Sequence, residues 1–568
     1  MPGTWTPLTH QPSFSPGTML LLTDGTVMCQ DSGSNHWWRL TPDASGSYVN
    51  GSWSALADSP HAPLYYASAV LRDGRVFVAG GEFDNGTPKD LDLAWIFDPQ
   101  ANTWTADHVV PSPAGWTAIG DASSCMLPDG RILVGSIQGP QCAIYDPASN
   151  TWKAAAAKHN ATTNEETWTL LPDETILTCD CAGSPQTEKY LIAADQWVLV
   201  GATPQNLVET ASIEIGPALL LPDGRVFAIG ATGYTALYTM PPIASQPGSW
   251  ASGPAFPPQG GKTIGAKDAP AALLPSGNVL CVAGPVDGVA GHYLGPTYFF
   301  EYVPSSNSFA AVTSPPNGGG SPFESRMLLL PTGQVLFGSG AFNQIQVYTS
   351  SGAPNAVWKP TIAQCAVALT AGSSYRLIGR QLNGLSQANS YGDDAQMATN
   401  YPLVRLTYPA TGHVTYCRTF QPSTMGVNTG TVMEATTFTV PAGAPSGSAQ
   451  LSVVANGIPS DPLAVSIGVV KSKEKEKEKD KDKDKDVPEL VPLGEDVESG
   501  AVVQPTDPAL LSVLGQISQR LDQVGTILAQ QQALITPQER PEVGEGALEG
   551  KQPPAPEGGK AAAARKRR

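Results

Sequence analysis

Short apolar runs broken by Gly, Pro, Asp and Ser fill about the first 350 residues, and their lengths suit strands rather than helices. One unit recurs: an apolar strand, a turn of the form Asp-Gly, and a second apolar strand often ending in Gly. The turns fall at Asp24-Gly25, Asp73-Gly74, Asp129-Gly130, Asp173-Glu174, Asp223-Gly224, Ser276-Gly277 and Thr332-Gly333, spaced 44 to 56 residues apart. A two-residue hairpin turn needs positive φ, which Gly supplies freely and Asp tolerates. Later in each unit an aromatic strand closes on a turn before a Trp, as in Ile96-Phe-Asp-Pro before Trp104 and Ile144-Tyr-Asp-Pro before Trp152. Such aromatics read as packing between neighbouring units.

Seven copies at this spacing predict an all-β fold opening with a seven-bladed kelch-type β-propeller over 1–360. The last unit lacks a good outer strand, whereas the chain opens with Gly3-Thr-Trp5-Thr-Pro-Leu, so the N-terminal strand is expected to complete that blade. After Pro360 the pattern changes to alternating segments such as Tyr375-Arg-Leu-Ile and Thr436-Thr-Phe-Thr-Val, which predict an immunoglobulin-like β-sandwich over 361–468. Alternating Lys with Glu or Asp from Lys471 to Asp486 marks a charged, disordered linker over 469–506. One short amphipathic helix is expected over 507–536, started by Asp507-Pro508 and stopped by Pro537. Its heptad-like seam over 510–528 suits weak self-association or docking on the body equally, and a disordered tail, 537–568, ends in the basic Arg565-Lys-Arg-Arg568.

A net charge of -17 argues against nucleic acid binding at the propeller. No run is long enough to span a membrane, and the opening residues show no secretory signal. The expectation is a cytoplasmic protein, with export by another route left open. Its eight cysteines are scattered, and buried thiols are the simplest reading.

The repeats, the N-terminal Trp strand and Asn456-Gly-Ile-Pro-Ser in the sandwich together resemble the galactose oxidase and glyoxal oxidase family of copper radical oxidases over residues 3–468. That resemblance implies a tyrosine cross-linked to a cysteine, a Tyr-His pair and a further histidine around copper. Here Tyr65 stands at the cysteine's place, Asp121 at the tyrosine's and Phe323-Glu324 at the pair's, while His413 in Thr411-Gly-His-Val-Thr matches the remaining ligand. One imidazole makes no copper site, so the chain reads as a non-oxidase relative.

The residue eight positions before each turn begins the innermost strand, giving Pro16, Tyr65, Asp121, Glu165, Ile215, Asp268 and Glu324, with Glu166 and Glu214 beside two of them. An acidic channel mouth follows, whose oxygens suit calcium or another divalent cation and not copper. The candidate metal ligands are Asp121, Glu165, Asp268, Glu324 and His413. The plainer reading has these carboxylates capping strand starts around water. Tyr65, Glu214, His36, Trp37 and Trp38 are the candidate binding surface; Asn35-His-Trp-Trp38 is either a sugar platform or packing of the first blade. Without a catalytic set, the sequence favours a non-catalytic scaffold recognising a protein, glycan or cation. The alternatives are a divergent copper oxidase and a metal-assisted hydrolase at the mouth.

Overall fold

Each Asp-Gly turn is one residue longer than the two-residue hairpin expected from sequence. In the first, the Gly25 N–H donates to Leu22 O at 3.0 Å and the Leu22 N–H to Thr26 O at 2.8 Å, so residues 23–25 form the loop. Gly25, Gly74, Gly130, Gly224, Gly277 and Gly333 all have φ between 78° and 92°, the left-handed position of a three-residue hairpin. The preceding Asp does different work. Its carboxylate accepts the N–H two residues on, as in Asp73 with Arg75 and Asp129 with Arg131, both at 3.0 Å.

In this computed structural model, which describes residues 2–106, 108–109, 115–160, 162–391, 397–427 and 430–468, the turns build a series of small antiparallel sheets. A typical one contains Pro16–Leu21, Val27–Asp31, Trp37–Thr41 and Ser52–Ala55 in chain order. The same order recurs from Ser124–Met126 to Thr151–Ala155, from Trp168–Leu170 to Gln196–Ala202 and from Ala218–Leu220 to Ser249–Ser252. The first strand of each sheet touches that of the next, and Ser325–Leu329 touches Pro16–Leu21, so the series closes on itself. The strand Thr4–Pro7 pairs antiparallel with Phe342–Thr349, placing Trp5 opposite Tyr348. This architecture is all-β and consistent with a propeller. Among the described residues the helical segments are three short 3₁₀ turns, and no helix is long and apolar enough to cross a membrane.

Aromatic residues join neighbouring sheets: Phe77 stacks on Tyr145 at 5.1 Å, Phe227 on Tyr302 at 3.7 Å, and Trp5 meets Phe299 edge-on at 5.2 Å. All eight cysteines are thiols, and all but Cys365 are buried.

From Thr361–Cys365 to Leu463–Gly468 the strands form a larger sheet system around its own apolar core of Leu377, Val404, Leu406, Phe438 and Leu451. The strand His413–Phe420 changes partners along its length. Residues 413–417 pair with Leu403–Tyr408, and residues 418–420 with Glu434–Thr439. This region packs on the turns of the smaller sheets: Arg418 donates to Asp73 O at 2.6 Å, and the Met425 N–H to Pro128 O at 2.8 Å. A Cβ on Gly25 would lie 2.5 Å from the Tyr416 ring, a second reason for glycine there.

From it a segment runs inward along the first strands. Asn389–Tyr391 pairs with Pro270–Leu273, Gln387 accepts the Leu170 N–H at 2.9 Å, and Asn389 accepts the Leu329 N–H at 2.8 Å. It reaches the far end at Tyr391, whose hydroxyl donates to Phe323 O at 2.5 Å beneath the Arg326 guanidinium. The expected linker over 469–506, helix over 507–536, self-association through 510–528 and tail over 537–568 lie outside the described residues.

Candidate functional site

Three carboxylates converge where three successive first strands begin. Glu165, Glu214 and Asp268 precede Trp168–Leu170, Ala218–Leu220 and Pro270–Leu273, and their nearest carboxylate oxygens all lie within 4.8 Å of one another. Glu214 and Asp268 are buried and Glu165 is partly buried. The chain reaches these positions through left-handed backbone, with φ of 58° at Glu165, 52° at Asp268 and 61° at Ile213. For a β-branched residue such as Ile213 this conformation is a true outlier, and such strain concentrates at functional positions.

The surrounding polar groups are organised. The Tyr293 hydroxyl donates to Glu214 Oε1, and Lys267 Nζ lies 4.4 Å from the centre of the same ring. Lys267 also donates to Ser212 Oγ at 2.7 Å and Glu209 Oε2 at 3.2 Å, tying the loop 209–214 to its neighbour. Burial alone would raise the Glu209 carboxyl; the Ala211 and Ser212 amides and Lys267 hold it below the usual range instead. Clustered oxygens of this kind can accept a hard cation or an organic cation.

The other sequence-derived candidates lie outside this group. Asp121 is buried just before Ala122, which bridges to Asn164, and Tyr65 has φ of 56° with its ring 6.1 Å from Phe83. Glu324 closes a short turn, its Oε2 accepting the Ser321 N–H at 3.1 Å. His413 begins a strand of the C-terminal sheet system: its Nε2 is 3.0 Å from Thr415 Oγ1, and its neighbour Val414 donates its N–H to Ala44 O, in the turn between Trp37–Thr41 and Ser52–Ala55. Among the described residues the structure therefore groups Glu165, Asp268 and Glu214, with Asp121, Glu324 and His413 outside that group. His36 is exposed and 2.9 Å from Asp58; Trp37 is 1% exposed and donates to Ser59 Oγ; Trp38 stacks on Phe14 at 5.0 Å.

Sequence reasoning missed an ionic cluster immediately behind Glu165. The Lys158 ammonium contacts the carboxylates of Glu166 and Asp180, with all three side chains at 0% exposure. The sequence pointed to Glu166 beside the mouth, but its side chain is buried against Lys158 instead, and nothing in the run Lys158-His159-Asn160 signalled that pairing. The inward segment carrying Gln387, Asn389 and Tyr391 was also missed, since Ser, Asn and Gln there suggest a loop rather than a strand.

A family model described as Kelch motif matches residues 63–106. No curated protein matches the sequence. Among solved structures, one described as "Structure of U3-55K" aligns over 61% of this chain and 99% of its own, with 11% identity and a TM-score of 0.39. The matched motif, lying within one of the repeating units, supports a kelch-repeat protein with a β-propeller-like fold.

Proposed function

We propose that this chain is a non-catalytic scaffold in which a seven-bladed kelch-type propeller, followed by an immunoglobulin-like sandwich, binds a protein partner at the acidic channel mouth. Kelch repeats commonly mediate protein interactions, and loops on a rigid scaffold are natural recognition surfaces. The observation that carries the reading is the company the carboxylates keep. Ile213, Tyr234 and Val289 are exposed large apolar residues on loops of the same sector, and the Gly291 N–H joins two of those loops through Ser212 Oγ at 2.9 Å. An apolar surface beside clustered carboxylates complements a partner segment with a Lys or Arg next to apolar residues.

Selection of random displayed peptides on the full chain tests this. Enriched sequences should carry Lys or Arg, and their binding should weaken about tenfold or more in Glu214→Gln and in Val289→Asp. No enrichment, or binding indifferent to both substitutions, would remove the proposal.

A second reading, a calcium or magnesium site, is favoured by the 4.8 Å spread of the three carboxylate ligands. Titration calorimetry with each ion on the wild type and Asp268→Asn decides it, with heat absent in the wild type counting against the site. An oxidase reading has less support, because Tyr65, Asp121, Phe323 and Glu324 occupy the places where the resemblance requires a cysteine, a tyrosine and a Tyr-His pair.

A further inference from the structure

An amine and a carboxyl group held together where water does not reach are reactants as well as an ion pair. Lys158 contacts the carboxylates of Asp180 and Glu166, and all three side chains are at 0% exposure. The two reactants belong to different sheets. The Lys158 N–H donates to Pro140 O at 2.9 Å, in the sheet from Ser124–Met126 to Thr151–Ala155. The Asp180 N–H donates to Gln186 O at 3.1 Å, in the sheet from Trp168–Leu170 to Gln196–Ala202. Neighbouring groups fix the orientation. Asp180 Oδ2 accepts the Asn160 amide at 2.5 Å, and Oδ1 is the oxygen against Lys158. Glu166 Oε2 accepts from the Trp168 indole at 3.3 Å and the Thr178 hydroxyl at 3.2 Å, and the Trp197 ring stands 5.7 Å from Lys158 Nζ.

We propose that Lys158 and Asp180 condense into an isopeptide cross-link between the two sheets. One ammonium proton passes along the contact to Asp180 Oδ1, leaving a neutral amine beside a carboxylic acid. The Nζ lone pair attacks Asp180 Cγ, and the charge developing on Oδ2 meets the Asn160 amide already bonded there. A second proton moves from Nζ to Oδ1, the Cγ–Oδ1 bond breaks and one water leaves. The amide keeps the third proton on its nitrogen, facing Glu166. The net charge of the buried group is the same before and after, and no oxidant or activating nucleotide is consumed.

General chemistry favours this step here. Reacting groups held in register behave as if present at effective concentrations on the order of 10⁵–10⁸ M. Exclusion of solvent brings the neutral pair closer in energy to the ion pair than it is in water, and withholds the water that would reverse the reaction. Burial drives the Asp180 carboxyl up to about 8 despite Lys158, towards the acid form that an amine attacks. Burial would lower Lys158, but the two acids hold its ammonium above the usual lysine range, so its proton passes to Asp180 within the contact rather than to solvent. In a chain whose eight cysteines are all thiols, the amide supplies a covalent tie between neighbouring sheets and restricts the unfolded chain. The inference uses none of the groups at the mouth and stands whatever the mouth binds.

The intact mass of the full chain, kept folded at neutral pH until the mass is constant and then denatured, tests it. The wild type should end lighter than its sequence requires by one water, whereas Lys158→Arg, which keeps the charge without the nucleophile, should show no deficit. Digestion then locates the bond. Trypsin should fail to cut after Lys158 and release residues 154–189 as one peptide lacking a water. A glutamate-specific protease cuts that peptide at Glu165, Glu166 and Glu174, and the pieces carrying Lys158 and Asp180 should stay joined. If Lys158→Arg fails to fold, the wild-type peptide decides alone. A constant wild-type mass equal to that of its sequence, pieces that separate after the second protease, or the same deficit in folded Lys158→Arg would overturn the inference.

Discussion

Glu174 stands where most of the equivalent turns carry glycine, with φ of 58°, a conformation that costs a residue with a Cβ about 1–2 kcal/mol. Glu174→Gly should therefore stabilise the protein by about 0.5–1 kcal/mol after the added chain entropy is counted, read as a higher denaturation midpoint. Lys158→Met leaves two buried acids without their cation and should destabilise by about 3–5 kcal/mol at neutral pH. The penalty should shrink in acid, where both carboxylates take protons. Before Lys158 and Asp180 condense, burial raises the Asp180 carboxyl to about 8, so the folded chain should bind a proton that the unfolded chain has lost, and the stability this contributes is full in acid and is lost as pH rises through about 8. A loss on the order of 2 kcal/mol between about pH 6 and about pH 9, absent in Asp180→Asn, is the expected outcome in urea titrations of freshly folded, uncondensed chain. Counting back from the turns reached Glu165 and Asp268 because the first strands run a common length from their turns. The same count reached Asp121 and Glu324, which stand just ahead of Ser124–Met126 and Ser325–Leu329 but outside the 4.8 Å group. It landed one residue beyond Glu214, where the loop 209–214 closes through Glu209 and Glu214.

At the scale of elements, the hairpins were legible because their determinants are local: an Asp that accepts an N–H two residues ahead and a Gly that takes positive φ. The inward segment was not, because its pairing depends on strands more than a hundred residues away in the chain, whose edges are available only once the ring of first strands exists. Asn389 illustrates it. The side chain accepts the Leu329 N–H at 2.8 Å from 60 residues away in the chain, a contact that no short sequence window contains. Asn389→Ala would leave a buried amide without its acceptor and should cost about 1–3 kcal/mol. Faster exchange at Leu329, with the outer strands unaffected, is the specific signature. The N-terminal strand offers a second test. Removing residues 2–8 would leave Phe342–Thr349 as an open edge, and the truncated chain should aggregate at concentrations where the full chain stays monodisperse in light scattering.

Across the whole molecule, the small sheets and the larger C-terminal system share more than a border. Arg418, Met425 and the Asn389–Tyr391 strand bond the two together, and the Tyr401 hydroxyl donates to Leu21 O. Unfolding should accordingly be one cooperative transition, with tryptophan fluorescence, dominated by the small sheets, and amide exchange in Glu434–Thr439 giving the same midpoint. Two separated transitions would show that these bonds are too weak to couple the regions. The sequence pattern alone predicted two successive domains and was silent on their attachment, since a change of spacing after Pro360 marks a change of architecture but carries no information about strength of attachment.

The pairing of Thr4–Pro7 with Phe342–Thr349 also has a consequence for biogenesis. At roughly 5–20 residues per second, a ribosome takes on the order of tens of seconds to travel from one partner strand to the other. During that interval the earlier-made of the two strands lacks the mate it has in the folded protein. Closure of the ring by this pairing is therefore a late event, possible only after Phe342–Thr349 has been made.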